Sequence, residues 1–128
     1  MDIEDYRELA DFRYELRRFL RISEQITRRK GLTPLQYQLL LQIKGCPNGG
    51  EISISYLAER LQAKHHGVVA LATRCERLQL VRRRTAHHDR RQVHLELTPR
   101  GERALERIAG LHRHEQAALL TRLTGGRS

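Results

Sequence analysis

A strand followed at once by a helix start is the sequence feature that most constrains the fold of this chain. Residues 89–101 read Asp-Arg-Arg-Gln-Val-His-Leu-Glu-Leu-Thr-Pro-Arg-Gly. Apolar and polar side chains alternate across 93–97, which predicts a strand with three apolar side chains on one face and His94 and Glu96 on the other. Thr98-Pro99 then predicts the first turn of a helix, because a hydroxyl can cap that turn and proline needs no amide donor there.

A helix-turn-helix pattern precedes this segment. A short helix is predicted from Ser53 to Leu61, a turn at Gln62-Ala63, and a second helix from Lys64 to Leu78 with an apolar inward face. A first strand is predicted from Leu80 to Thr85, which leaves residues 86–91 as the tip of a β-hairpin. A hairpin directly after such a pattern predicts a winged helix-turn-helix, a mainly α fold with a small β component (α+β).

Longer helical patterns flank this part of the chain. Residues 5–29 contain no glycine or proline, and a further helix is predicted after Thr33-Pro34, where Gln36 can complete a capping box. A final helix is predicted from Pro99 towards Leu123, with a bend or break near Gly110.

Apolar side chains on the flanking helices predict contacts with a second copy of the chain. On the first helix they recur at spacings of three and four residues along an otherwise charged helix, although packing on its own domain is the simpler alternative. The candidate dimerisation residues are Leu9, Phe12, Leu16, Phe19 and, on the final helix, Leu119. We therefore expect a dimerisation helix over 1–30, a winged helix-turn-helix DNA-binding domain over 31–98 and a second dimerisation helix over 99–128.

The net charge of +9 is concentrated in one part of the chain. Residues 1–30 carry +1, 31–63 carry 0, 64–103 carry +6 and 104–128 carry +2. A local excess of positive charge predicts a polyanionic partner, because neutralised phosphates supply salt-sensitive affinity. A solvated basic surface is the plainer alternative. Since the basic segment coincides with the helix-turn-helix and the hairpin, we expect the partner to be double-stranded DNA.

The second helix of the pattern and the hairpin carry the side chains that we expect to contact DNA. Basic side chains suit phosphates or guanine, while histidine and threonine can hydrogen-bond base edges. Arginines on a narrow hairpin suit the minor groove. Asp89 is expected to hold a neighbouring arginine and shape the tip, because a carboxylate facing DNA would be repelled. The candidate DNA-binding residues are Lys64, His65, His66, Thr73, Arg74, Arg84, His88, Arg90 and Arg91.

Several motifs between residues 5 and 123 carry a family resemblance. They are Leu32-Thr33-Pro34-Leu35-Gln36-Tyr37, Leu57-Ala58-Glu59-Arg60-Leu61, Leu80-Val81-Arg82-Arg83, Asp89-Arg90-Arg91 and Leu95-Glu96-Leu97-Thr98-Pro99-Arg100-Gly101. With these motifs the chain resembles the multiple antibiotic resistance regulator (MarR) family of dimeric winged-helix transcription factors. It departs from the family at Gln79, where glycine is usual. It also departs at 64–67, where the recognition helix starts, so the operator sequence cannot be carried over.

The resemblance implies a homodimer, built from the first and last helices, that binds an inverted-repeat operator and represses transcription. It also implies a minor-groove role for Asp89 and Arg91. Many members of the family release DNA when a small aromatic acid binds between the dimer helices and the DNA-binding lobe. We therefore expect a small aromatic or anionic effector here, with Tyr14, Arg17 and Tyr37 as candidate pocket residues.

Other classes of function find less support in the sequence. Cys46 and Cys75 lie far apart without metal spacing, and Cys75 falls on an inward helix face, which favours structural burial. Neighbouring histidines on a helix diverge and do not converge on a zinc ion. His65-His66 and His112 with His114 are such neighbours on predicted helices, and His87-His88 is a further adjacent pair at the predicted hairpin tip.

No catalytic arrangement of side chains stands out, so we expect neither an enzyme nor a metal or cofactor. The chain lacks a signal-peptide stretch and any window of 18 apolar residues, and we expect a cytoplasmic protein without a membrane partner. The alternatives are a non-specific architectural DNA-binding protein and a winged-helix protein-interaction scaffold.

Overall fold

Five helices and one β-hairpin make up the described part of the chain. The computed structural model describes residues 1–47, 52–85 and 93–125. The elements are α1 (Ile3–Arg29), α2 (Pro34–Lys44), α3 (Ile54–Leu61), α4 (His65–Arg77), β1 (Val81–Thr85), β2 (Val93–Leu97) and α5 (Pro99–Gly125). The predicted mainly α winged-helix architecture is therefore confirmed. Helix α5 continues through Gly110, so the expected break there does not occur.

Local capping explains where the helices begin. Thr33 precedes α2, and its hydroxyl accepts a hydrogen bond from the Gln36 amide at 3.1 Å, while the Gln36 side chain accepts from the Thr33 amide at 3.0 Å. This is the predicted capping box, which satisfies two amides that a helix start otherwise leaves unpaired. Asp2 and Asp5 make the same reciprocal pair at the start of α1.

Helices α1, α3 and α4 end in the same hydrogen-bonded motif. Each is followed by a residue with left-handed backbone: Gly31 (φ 87°), Gln62 (φ 52°) and Gln79 (φ 62°). After α4, the Leu80 amide donates to the Cys75 carbonyl at 2.9 Å, as the Schellman arrangement requires. Two of the three positions thus hold a glutamine where glycine carries the least strain.

The hairpin strands pair in antiparallel register, with Val81 opposite Leu97 and Arg84 opposite His94. The chain before α3 adds a short third edge, because Ser53 forms a bridge with His94 and the Leu95 amide donates to the Ile52 carbonyl at 3.0 Å. His94 is consequently buried, with neither ring nitrogen hydrogen-bonded among the described residues. The alternation of side chains in the sequence did not predict the burial of His94.

The junction between β2 and α5 is hydrogen-bonded to the turn that follows α4. The Thr98 amide donates to the Leu80 carbonyl at 3.1 Å, and the Thr98 hydroxyl donates to the Gln79 carbonyl at 2.6 Å. The same hydroxyl accepts from the Gly101 amide at 3.0 Å, so Thr98 caps α5 as predicted. The segment that starts α5 therefore also fixes the end of α4.

Helix α5 packs against the second half of α1, with contacts from Glu15 to Ser23 on α1 and from His112 to Arg122 on α5. The Arg122 guanidinium lies 2.6 Å from the Glu15 carboxylate, and His112 is buried between the helices. The His112 Nε2 lies 3.0 Å from the Ser23 carbonyl oxygen and must donate to it, because a carbonyl can only accept. Within the described residues, no helix is apolar over a length that would cross a membrane.

Candidate nucleic-acid interface

The start of α4 departs from the capping rules that the other helices follow. Lys64 occupies the N-cap position and makes no side-chain cap hydrogen bond within the described residues, and the first turn holds no acidic side chain. A cation at this end of a helix opposes the helix dipole, and the first amides have no partner within the helix. This turn is locally unfavourable for stability but well suited to an anion or to base edges.

Exposed side chains cover the outward face of α4. Lys64, His65, His66 and Arg74 are all exposed, as the sequence predicts for a reading surface, and Val68, Ala72 and Cys75 are buried on the opposite face. Leu78, which the helical spacing would place on the inward face, is 41% exposed at the C-cap position beyond the last helical residue.

Thr73 differs from the other candidate DNA-binding residues on α4. It is half-buried, and its hydroxyl donates to the Val69 carbonyl at 3.0 Å. The same hydroxyl accepts from the Arg83 guanidinium at 2.9 Å. The Thr73 hydroxyl is thus engaged within the chain, which argues against the base contact that the sequence predicted.

Arg83 on β1 forms side-chain hydrogen bonds with α4. Besides Thr73, its guanidinium donates to the Glu76 carboxylate at 2.8 Å. Arg83 was not among the candidate site residues predicted from the sequence, and this role was missed. The alternation of strand side chains offers the only signal, because it places Arg83 on the face opposite to Arg82 and Arg84.

The other two arginines of β1 flank one carboxylate on β2. The Arg82 Nε and the Arg84 Nε lie 2.5 and 2.7 Å from the Glu96 Oε1. These are ion-pair distances, but the angles are not those of hydrogen bonds. The Glu96 carboxylate thus forms ion pairs with two guanidinium groups, and both arginines remain exposed. His88, Asp89, Arg90 and Arg91 lie outside the described residues.

The structure does not bring the three candidate effector residues together as a pocket. Tyr14 and Arg17 are exposed on α1, whereas Tyr37 is buried with its ring 4.6 Å from that of His112. Burial raises the pKa of Tyr37. None of the three residues lines the cavities of about 760, 540 and 290 Å³ that the described residues form. The placement of Tyr37 in the core corrects the expectation that it lines a crevice.

The two cysteines differ in environment. Cys75 is fully buried in the core, and burial raises its pKa to about 11. A thiol in that state is a poor nucleophile and a poor metal ligand, in keeping with the predicted structural role. Cys46 is half-buried beside the core.

Comparisons with known proteins agree with this geometry. A model described as "MarR family" matches residues 30–92. The chain is 31% identical over 96 residues to the HTH-type transcriptional repressor MdtR of Bacillus subtilis, over 75% of this chain and 60% of that protein. The chain therefore spans less than two thirds of the length of this relative.

Solved structures share the fold. A MarR family protein from Bacillus stearothermophilus superposes with a TM-score of 0.78 at 23% identity, over 94% of this chain and 82% of that one. A mutant of S. aureus MepR bound to an oligodeoxyribonucleotide superposes with a TM-score of 0.71 at 20% identity, over 88% and 80% of the two chains.

Proposed function

Because the chain belongs to the MarR family of winged helix-turn-helix transcriptional regulators, we propose that it is a homodimeric repressor of an inverted-repeat operator in double-stranded DNA. The observation that carries the proposal is the exposed, basic and uncapped start of α4 around Lys64 and His66. Proteins tend to keep locally unfavourable arrangements where function needs them. Here the free amides and the cation at residue 64 suit a DNA phosphate or base edge.

In this proposal α4 reads the major groove. His65 and His66 approach base edges from the first turn, and Lys64 and Arg74 contact phosphates or guanine. All four side chains are exposed, which supports their assignment. Thr73 is left out of the reading surface, because Arg83 and the Val69 carbonyl engage its hydroxyl.

The hairpin contributes a second contact in the proposed complex. Arg82 and Arg84 supply positive charge at its base, where they outnumber the single carboxylate of Glu96. The sequence-based assignments of Asp89 and Arg91 to the minor groove extend this surface towards the tip. Arginine suits the narrow and electronegative minor groove.

An uncovered apolar face on α1 supports the homodimer. In the single chain Leu9 and Phe12 are more than half exposed, Leu16 is exposed and Phe19 is half-buried. Monomeric soluble proteins rarely leave contiguous apolar patches uncovered. Leu119 is instead buried in its own chain, and the neighbouring Leu120 is the exposed leucine at this end of α5.

Two-fold symmetry then sets the operator geometry. Residues 1–30 and 99–128 form the dimer, and residues 31–98 bind DNA. Two α4 helices related by a two-fold axis require an inverted repeat with half-sites about one helical turn apart, or about 10 bp.

We propose in addition that a small aromatic or anionic effector releases the DNA. Tyr14 and Arg17 are exposed on α1, and in this proposal the dimer partner completes a pocket that uses them. Tyr37 supports that pocket from within the core and does not line it.

The test selects an operator from a random duplex pool and compares it with a scrambled duplex by fluorescence anisotropy at several salt concentrations. His66→Ala should relax discrimination at one position of each half-site by about 1–3 kcal/mol. Arg84→Ala should weaken binding to both duplexes by the same factor, because it removes a charge without removing a base contact. It should also reduce the dependence of the binding constant on salt concentration.

Two outcomes would point to the alternative functions. A non-specific architectural protein would enrich no sequence in the selection. Both variants would then lose affinity equally for both duplexes. Absence of DNA binding at low salt would indicate a protein-interaction scaffold.

A further inference from the structure

A cavity of about 760 Å³ lies where the end of α1, the start of α5 and the residue before β1 meet. Its lining includes Lys30, Arg100, Arg103 and Arg107, with Leu80 at the base. Spacings of three and four residues place the three arginines on one face of α5. That spacing is visible in the sequence, yet the sequence analysis did not identify the site.

The cationic side chains of this cavity have no partner of opposite charge among the described residues. All four are exposed, and none takes part in a described ion pair. Glu106 is the single carboxylate in the lining. The cavity therefore presents four positive charges against one negative charge, and guanidinium groups bind carboxylates and phosphates in a bidentate fashion.

We propose that this basic cavity binds a small organic polyanion that carries two or more carboxylate or phosphate groups. A monoanion would leave most of the cationic charge unpaired, whereas a polyanion can bridge two or three of the arginines. The volume matches that of ligand pockets for small molecules. Because Leu80 and Ala104 add an apolar base, the carbon skeleton of such a ligand also finds a favourable contact.

The position of the cavity separates it from the proposed base-reading end of α4. Leu80 follows the carboxyl end of α4, whereas Lys64 marks the opposite end, where DNA contact is proposed. A helix of 13 residues separates the two ends by about 20 Å. The basic cavity therefore lies far from the proposed base contacts of His65 and His66 in the first turn of α4.

Binding at this cavity offers a route to regulation, which rests on the proposed function. Lys30 ends α1, the arginines belong to α5, and Leu80 connects α4 to β1. A polyanion that bridges α1 and α5 beside Leu80 contacts both the dimer helices and the end of the recognition helix. If its affinity differs between two orientations of that helix, it shifts the population between them.

The binding test uses calorimetry with citrate and with inorganic pyrophosphate at fixed ionic strength. We expect saturable binding with one site per chain, and about tenfold weaker binding for Arg103→Gln and for Arg107→Gln. Arg113→Gln is the matched control, because this exposed arginine lies on the same helix outside the cavity. Lack of saturable binding, or an equal loss for Arg113→Gln, would overturn the site.

A second measurement tests whether anion binding at this cavity changes DNA binding, and it distinguishes failure of the site from failure of the proposed function. Operator affinity is measured with and without the bound probe, for the natural protein and for Arg103→Gln. A probe-dependent change that Arg103→Gln abolishes supports regulation, and binding without any effect on operator affinity overturns it. If the protein binds no DNA but still binds citrate, the proposed function fails and the site stands. If Arg103→Gln weakens DNA binding with no probe present, the arginine contacts DNA and the small-anion assignment fails.

Discussion

Gly101 packs so closely against Leu80 that a Cβ at residue 101 would stand 2.0 Å from the Leu80 carbonyl oxygen. The same carbonyl accepts the hydrogen bond from the Thr98 amide. Glycine is therefore a requirement of close backbone approach here, where α5 begins against the turn that ends α4. The Thr-Pro-Arg-Gly sequence thus combines a helix cap with a glycine that allows close approach of the turn at Leu80.

Gly101→Ala should destabilise the protein by about 3 kcal/mol or more, because the clash involves backbone that cannot move away easily. Urea unfolding followed by circular dichroism measures the change. Gly110→Ala is the control on the same helix: a Cβ at residue 110 would meet nothing within 4 Å, and alanine favours a helix interior. We expect it to stabilise by about 0.5–1 kcal/mol. Equal effects of both substitutions would contradict the close-packing argument.

Gln79→Gly should stabilise the protein by about 1 kcal/mol, since it removes a side chain from a left-handed backbone position. Gly31→Ala is the reciprocal experiment, because residue 31 has the same backbone and open space where a Cβ would stand. It should destabilise by a similar amount. Thermal unfolding of both variants decides the point, and a loss of stability in Gln79→Gly would mean that the glutamine side chain makes a stabilising contact.

Lys64→Ser should raise stability while it weakens DNA binding. Serine can cap α4 and contribute about 1 kcal/mol, whereas each dimer loses two phosphate contacts. The salt slope of binding should fall by about 1.8, or 0.9 for each contact. Ser53→Ala, which removes the existing cap of α3, should lower stability by about 1 kcal/mol. A Lys64→Ser protein that keeps full affinity would exclude residue 64 from the interface.

Leu9→Glu should convert the dimer to a monomer, because it places a charge in the apolar face of α1. Light scattering should report twice the 15.0 kDa mass of one chain for the natural protein and a single mass for the variant. Leu35→Glu is matched to it, since Leu9 and Leu35 are 53% and 57% exposed in the single chain. The proposal requires Leu35→Glu to remain dimeric, and a monomeric natural protein would refute it.

Cys75 should resist thiol reagents at pH 8, since burial raises its pKa from an ordinary value of 9.0 to about 11. The unfolded chain ionises this thiol first, so the stabilisation that Cys75 contributes is complete below pH 9 and is lost as the pH rises towards 11. Labelling of a Cys46→Ser variant isolates the effect. Rapid labelling of Cys75 without denaturant would show that the core opens locally.

Local signals made much of this fold predictable from the sequence. Thr33 and Gln36 cap one helix start and Thr98 caps another, so those boundaries depend on residues only a few positions apart. Contacts between distant segments escaped the sequence analysis. His94 is buried because the chain at Ile52 and Ser53 pairs with its strand.

Only part of the candidate nucleic-acid interface could be predicted from the sequence. The exposure of Lys64 and His66 follows from the helical period alone. The engagement of Thr73 by Arg83 depends on the angle between β1 and α4, which no local pattern reports. At the end of α5, Leu119 is buried in its own chain and the neighbouring Leu120 is exposed, which the spacing of apolar residues did not reveal.

The contacts of Arg83 with Glu76 and Thr73 fix the angle between the hairpin and the recognition helix before any DNA is bound. In the proposed complex, one guanidinium therefore sets the distance between the two grooves that a single protomer touches. In such a complex the protein would respond to the pitch of the duplex as well as to its bases. Overwound or bent DNA with the correct sequence would be discriminated by its shape alone.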